Sequence, residues 1–88
     1  GKYEIISNDE SGYGRYDLAM IPIKSNEKAY LMEFKISKTK KGMEEKAEKA
    51  LKQIDEKKYD TKLKARGIKN ILKIGVAFYG KEVKVVFK

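Results

Sequence analysis

The stretch AYLMEFKIS, residues 29–37, decides how the rest of the chain is read. Side chains along a strand alternate between two faces. Tyr30, Met32, Phe34 and Ile36 therefore share one face, and Leu31, Glu33, Lys35 and Ser37 share the other. The first set reads as a buried surface. The second sets an acid, a lysine and a hydroxyl into the same short segment. Glu33 and Lys35 either form a plain surface ion pair or are placed to do chemistry.

Working outward, RYDLAMIPI (15–23) reads as a strand, with Pro22 near its end where a missing N–H is tolerated. SNEK (25–28) is the turn joining it to residues 29–37. YEIIS (3–7) is a shorter strand, and NDESGYG (8–14) is a polar loop in which Gly12 and Gly14 allow close backbone approach. These segments predict an antiparallel meander. SKTKKG then breaks the pattern. From Met43 the apolar residues Met43, Ala47, Ala50, Leu51 and Ile54 recur at helical spacing, with Glu44, Glu45 and Glu48 early, where the helix dipole favours them, and Tyr59 closing the helix. DTKLKARG (60–67) reads as a short second helix, capped by Asp60 or Thr61 and ended by Gly67. ILKIGVAFY (71–79) and VKVVF (83–87) are the last two strands, joined at GKE.

The predicted fold class is α/β: an antiparallel three-strand meander, a crossover helix, then two further strands in a mixed sheet. The crossover makes the third and fourth strands parallel, with right-handed connection the strong default. The apolar sets, Tyr16, Leu18 and Met20 with Tyr30, Met32, Phe34 and Ile36, are expected to face the helix.

A chain of 88 residues makes one domain with a modest core. It has neither cysteine nor histidine, which excludes disulfides, thiolate nucleophiles, thiolate zinc sites and every histidine-based triad. No segment approaches a membrane span and no signal peptide is visible; with the lack of cysteine this fits a cytoplasmic protein. The formal charge is +8 and the pI about 9.6, which points to a polyanionic partner, nucleic acid being the commonest. The alternative is a well-solvated lysine surface, since all but two of the 21 basic residues are lysine.

Asp17 and Glu33 are neighbours on one face only if the hairpin between them has an odd-length loop or a bulge. A two-residue loop at Ser25 and Asn26 would pair Asp17 with Phe34 and separate the carboxylates. A loop of three or five residues, or a bulge, pairs Asp17 with Glu33. Directly opposite residues have Cβ atoms about 4.5–5.5 Å apart. Carboxylates that close repel unless a cation lies between them or one is protonated. Their oxygens suit Mg2+ or Mn2+. Lys35 on the same face is positioned to orient a water or to offset charge on a phosphate. The competing reading pairs Asp17 with Arg15 or Lys35 and makes Lys35 a structural ion-pair partner.

SGYGRYDLAMIPI, AYLMEFKIS and ALKQIDEKKY together resemble the PD-(D/E)XK nuclease superfamily, and more narrowly the nuclease-like domain at the C-terminus of a group of AAA-ATPase-like bacterial proteins. The resemblance runs from Tyr3 to the last strand. It implies a restriction-endonuclease-like core and Mg2+-dependent (or Mn2+-dependent) binding or cleavage of DNA. By that likeness Asp17 and Glu33 are metal ligands, the Phe34 backbone carbonyl completes the shell, and Lys35 is the catalytic lysine. Arg15, Ser37, Lys38, Lys40, Lys41 and Gln53 are candidate nucleic-acid contacts, each weighed against a structural or solvated role; Tyr59 reads as a packing residue. Two departures stand out. Tyr16 occupies the position of the family's proline. The helix that normally precedes the first strand is missing from residues 1–88, which leaves one sheet face to be covered by a second copy of the chain. The reading from a different class is a non-catalytic basic module that binds nucleic acid or protein with the same fold.

Overall fold

A computed structural model describes residues 2–8, 16–24, 27–57 and 63–88, without the side chains of residues 7, 8, 16, 17 and 57. The expectations for Arg15, Gly12, Gly14, Tyr59, Asp60 and Thr61 lie outside the described residues. The elements are β1 (Tyr3–Asn8), β2 (Tyr16–Pro22), β3 (Ala29–Ile36), α1 (Met43–Lys57), β4 (Ile71–Tyr79) and β5 (Glu82–Phe87). They form one five-stranded sheet in the order β1-β2-β3-β4-β5. β1, β2 and β3 pair antiparallel, β3 and β4 parallel, and β4 and β5 antiparallel. The meander, the crossover helix and the mixed sheet are all as the sequence predicts.

The helix sits on the other face from the one expected. Its apolar residues Leu51 and Ile54 pack with Ile21, Ala29 and Leu31, and Met43 and Ala47 pack with Ala77. These sheet residues belong to the set that carries Glu33 and Lys35. The reason is close packing rather than hydrophobicity. A Cβ built on Gly75 would overlap the Ala47 carbonyl oxygen and come within 2.7 Å of the Leu51 nitrogen. Gly75, together with Ala77 packed against Ala47, lets the helix backbone approach the sheet to contact. The face lined by Tyr30, Met32, Phe34 and Ile36 has bulkier side chains and no such seat.

Among the described residues no helix covers that second face. Ile36 is 77% exposed and Phe87 67% exposed there, with Ile5, Val83 and Val85 exposed beside them. Its order comes from side-chain pairs across strands, such as the edge-on contact of Phe34 with Phe78 at 5.9 Å and the tilted pair Tyr3–Tyr30 at 6.2 Å.

The chain returns from α1 through a helical turn at residues 63–65. Gly67, at φ 90°, ends it as the sequence predicts. The Ile68 N–H donates to the Leu63 carbonyl and the Gly67 N–H to the Lys64 carbonyl, so the last carbonyls are satisfied. Leu63 and Ile68 are thereby driven into the main core. No helix is long and apolar enough to cross a membrane.

Asp55 ties the C-terminal half of α1 to the far strands. Lys73 donates to one of its carboxylate oxygens at 2.5 Å and Lys88 approaches the other at 2.7 Å. The hydrogen bonds from Lys73 and Lys88 hold the Asp55 carboxyl below the ordinary carboxylate range.

Two stability predictions follow from these contacts. Gly75→Ala should destabilise the fold by about 3 kcal/mol through overpacking, whereas Gly80→Ala, at φ 58° but with open space around it, should cost about 1 kcal/mol; urea denaturation of both variants checks the contrast. For Asp55 the sign follows from its lowered folded pKa. The stabilisation is complete above the ordinary aspartate pKa of about 3.9 and is lost as pH falls through the lower folded value. Asp55→Asn should therefore be about 1 kcal/mol less stable than wild type near neutrality, the pair being partly solvent-screened, and the two stability curves should converge in acid.

Candidate active site

The β2–β3 register decides whether the charged face can be a site at all. Asp17 is the direct partner of Glu33, and Leu18 of Met32. This is the pairing expected of an odd-length loop or a bulge, so positions 17 and 33 fall on one face. On the other side of β3, Glu33 is opposite Gly75 and Lys35 opposite Ala77. Glu33 thus lies between the Asp17 position and the glycine on which α1 is seated. It is 0% exposed. The missing side chain at position 75 is what lets α1 close over it, and hydrophobic patterning gave no sign of this.

A carboxylate so deeply buried is costly unless it is paired or coordinates a metal. Glu33, Phe34, Lys35 and Gln53 each have an interacting partner. Lys35 is half-buried, two residues along the same face of β3. Phe34 belongs to a strand paired on both sides, and its carbonyl keeps a second lone pair even when one is used in the ladder. Among the described residues no group of three or more acidic side chains converges to hold a metal ion. The side chain of Asp17 is outside the described residues, as is all of Arg15.

The segment after β3 is built by its own polar residues. The Ser37 hydroxyl donates to the Thr39 carbonyl at 2.6 Å and accepts from the Thr39 N–H at 3.3 Å. The Thr39 hydroxyl accepts from the Gly42 N–H at 3.0 Å. The Ser37 N–H continues the ladder to Phe78. Ser37 is buried, and these contacts make it a turn-former that turns the chain from β3 into α1. Lys38, Lys40 and Lys41 are exposed on this turn, immediately beyond Lys35. Lys40 also reaches Glu82 at 3.4 Å, a surface pair.

Gln53 is half-buried on α1. Two residues along a helix rotate the side-chain direction by about 200°. Since Asp55 faces Lys73 of β4 and Lys88 beyond β5, Gln53 lies on the opposite flank, away from β5. The structure therefore brings the Asp17 position, Glu33 and Lys35 onto one face, with the lysine turn at the end of β3. It places Ser37 in the turn itself.

No curated protein and no solved structure matches the chain. The family model described as the PD-(D/E)XK nuclease superfamily matches it over residues 1–88. Nucleases of this superfamily typically use divalent metals. With a mixed five-stranded sheet, one crossover helix between the third and fourth strands and a family match over its whole length, the chain belongs to the PD-(D/E)XK nuclease superfamily.

Proposed function

We propose that this chain is a metal-dependent DNA nuclease domain, with Asp17, Glu33 and Lys35 as its reacting set. The observation that carries the reading is the direct pairing of Asp17 with Glu33 across β2 and β3, with Glu33 fully buried. Opposed carboxylate positions of this kind suit a small hard cation. Asp17 and Glu33 would hold Mg2+ or Mn2+, with the Phe34 carbonyl as a further oxygen donor. When bound, such a cation neutralises phosphate charge and acidifies water.

The chain's own residues do the rest. Lys35 presents an ammonium that offsets negative charge developing on the scissile phosphate. Lys38 and Lys41, exposed on the turn after β3, neutralise neighbouring phosphates, and Lys40 shares that role with its surface pair to Glu82. Gln53 flanks α1 on the side away from the Asp55 clamp, as a substrate contact.

The complete burial of Glu33 favours one further reading, in which Glu33 and Lys35 serve as structural charges inside a basic, non-catalytic binding module. Cleavage assays on single-stranded, duplex and nicked DNA with Mg2+ or Mn2+ separate the two. The nuclease reading expects cutting that chelation abolishes and that Asp17→Asn, Glu33→Gln and Lys35→Ala each slow by about a hundredfold or more. A folded wild type that cuts none of these substrates, or variants that cut as fast as it does, would leave the binding module as the function.

A further inference from the structure

The sheet face opposite α1 carries no charged residue in any of its five strands. Register puts every charged position of the strands in the set that shares the helix side: Glu4, Asp17, Glu33, Lys35, Lys73, Glu82 and Lys84. The opposite set forms apolar rows of direct partners. One row is Leu18, Met32, Ile74 and Phe87, and another is Ile36, Phe78 and Val83. The rows reach both edges of the sheet. Ile5 on β1 is 64% exposed and Phe87 on β5 67%, with Ile36, Val83 and Val85 also exposed. Among the described residues no helix lies on this face. Single exposed apolar residues need no explanation, but a continuous uncharged face marks an interaction surface.

Its size suits a second sheet. Five strands of six to nine residues cover about 24 Å by about 24 Å, or roughly 570 Å2 in projection. That lies near the top of the range of about 300–600 Å2 for the largest apolar patch on an ordinary monomer. Two such faces in contact bury roughly 1,100 Å2 before side-chain relief is counted, which clears the about 1,000 Å2 that a specific interface needs.

Charge decides the occupant. A partner with an ordinary polar surface would leave its own charged groups desolvated and unpaired against this face. A second copy brings a face of the same size, equally free of charge. Back-to-back packing also keeps the net charge of +8 on each copy apart. With sheets about 10 Å apart and a helix layer of about 10 Å outside each, the lysines of the two α1 helices stand about 30 Å from one another, against a screening length of about 8 Å. We propose that this face is a homodimer interface, two copies packing sheet on sheet about a two-fold axis with both α1 helices outward. The Asp17, Glu33 and Lys35 positions then lie on the outer side of each copy. The proposal does not rest on the nuclease reading.

The test is sedimentation equilibrium of the 88-residue chain in EDTA without DNA, so that neither metal nor substrate enters. Ile5→Glu with Phe87→Glu changes exposed residues on the two edges of the apolar face. Ile6→Glu with Tyr79→Glu makes the same change at exposed positions on the helix side, and circular dichroism checks that both pairs fold. Wild type and the control pair should sediment as dimers, and the face pair should weaken dimerisation by about a thousandfold or more, since each new carboxylate is buried unpaired. In wild type the methyl signals of Ile5, Ile36, Val83 and Val85 should be shielded from a soluble paramagnetic probe. A wild type that remains monomeric at millimolar concentration overturns the proposal. So does a dimer that the face pair leaves intact or whose face methyls stay open to the probe. A monomer whose face methyls become shielded only on adding neutral phosphatidylcholine vesicles assigns the face to lipid and overturns it likewise.

Discussion

The seat of α1 on Gly75 is the contact on which the rest of the structure depends. A helix can lie this close to a sheet only where the sheet offers no side chain, and here the helix backbone at Ala47 and Leu51 occupies the space a Cβ would need. That approach fixes which face is covered. It also seals Glu33, the neighbour of Gly75 in register, beneath the helix. Core and candidate site are therefore one problem: the residue that permits tight packing also creates the buried environment of the acid.

The same seat explains the division of the sheet into unlike faces. The helix side combines small residues with charges, and the opposite side is a broad apolar surface built from Tyr30, Met32, Phe34, Ile36 and the outward residues of β5. On the helix side the basic residues gather on two flanks. The turn after β3 carries Lys38, Lys40 and Lys41 near Lys35, while Lys64, Lys69, Lys73 and Lys88 converge beyond Asp55.

Much of this was legible in the residues themselves. Element order, the parallel crossover and the Gly67 stop followed from periodicity and turn chemistry, because those signals are local. Glu33 and Lys35 stood out because charge interrupts an apolar run. The covered face was misread because alternation shows which residues share a side, while hydrophobicity alone does not show which side a helix can approach. The readable sign was the small set Ala19, Ala29, Gly75 and Ala77 along the charged face. The role of Ser37 and the Asp55 clamp were not readable, since each depends on contacts fixed by folding: a hydroxyl turned onto Thr39, and Lys73 and Lys88, far apart in the chain, drawn together on Asp55.

Under the proposed function, Asp17 and Glu33, paired across β2 and β3, would act together as ligands of one cation. The most direct test is a titration with Mn2+ followed by paramagnetic broadening of backbone amide signals. The account predicts that broadening begins at residues 17 and 33–35, extends to Gly75, and disappears from these positions in Glu33→Gln. Broadening confined to exposed acids such as Glu44, Glu45 and Glu48 on α1, or unchanged by that substitution, would contradict it.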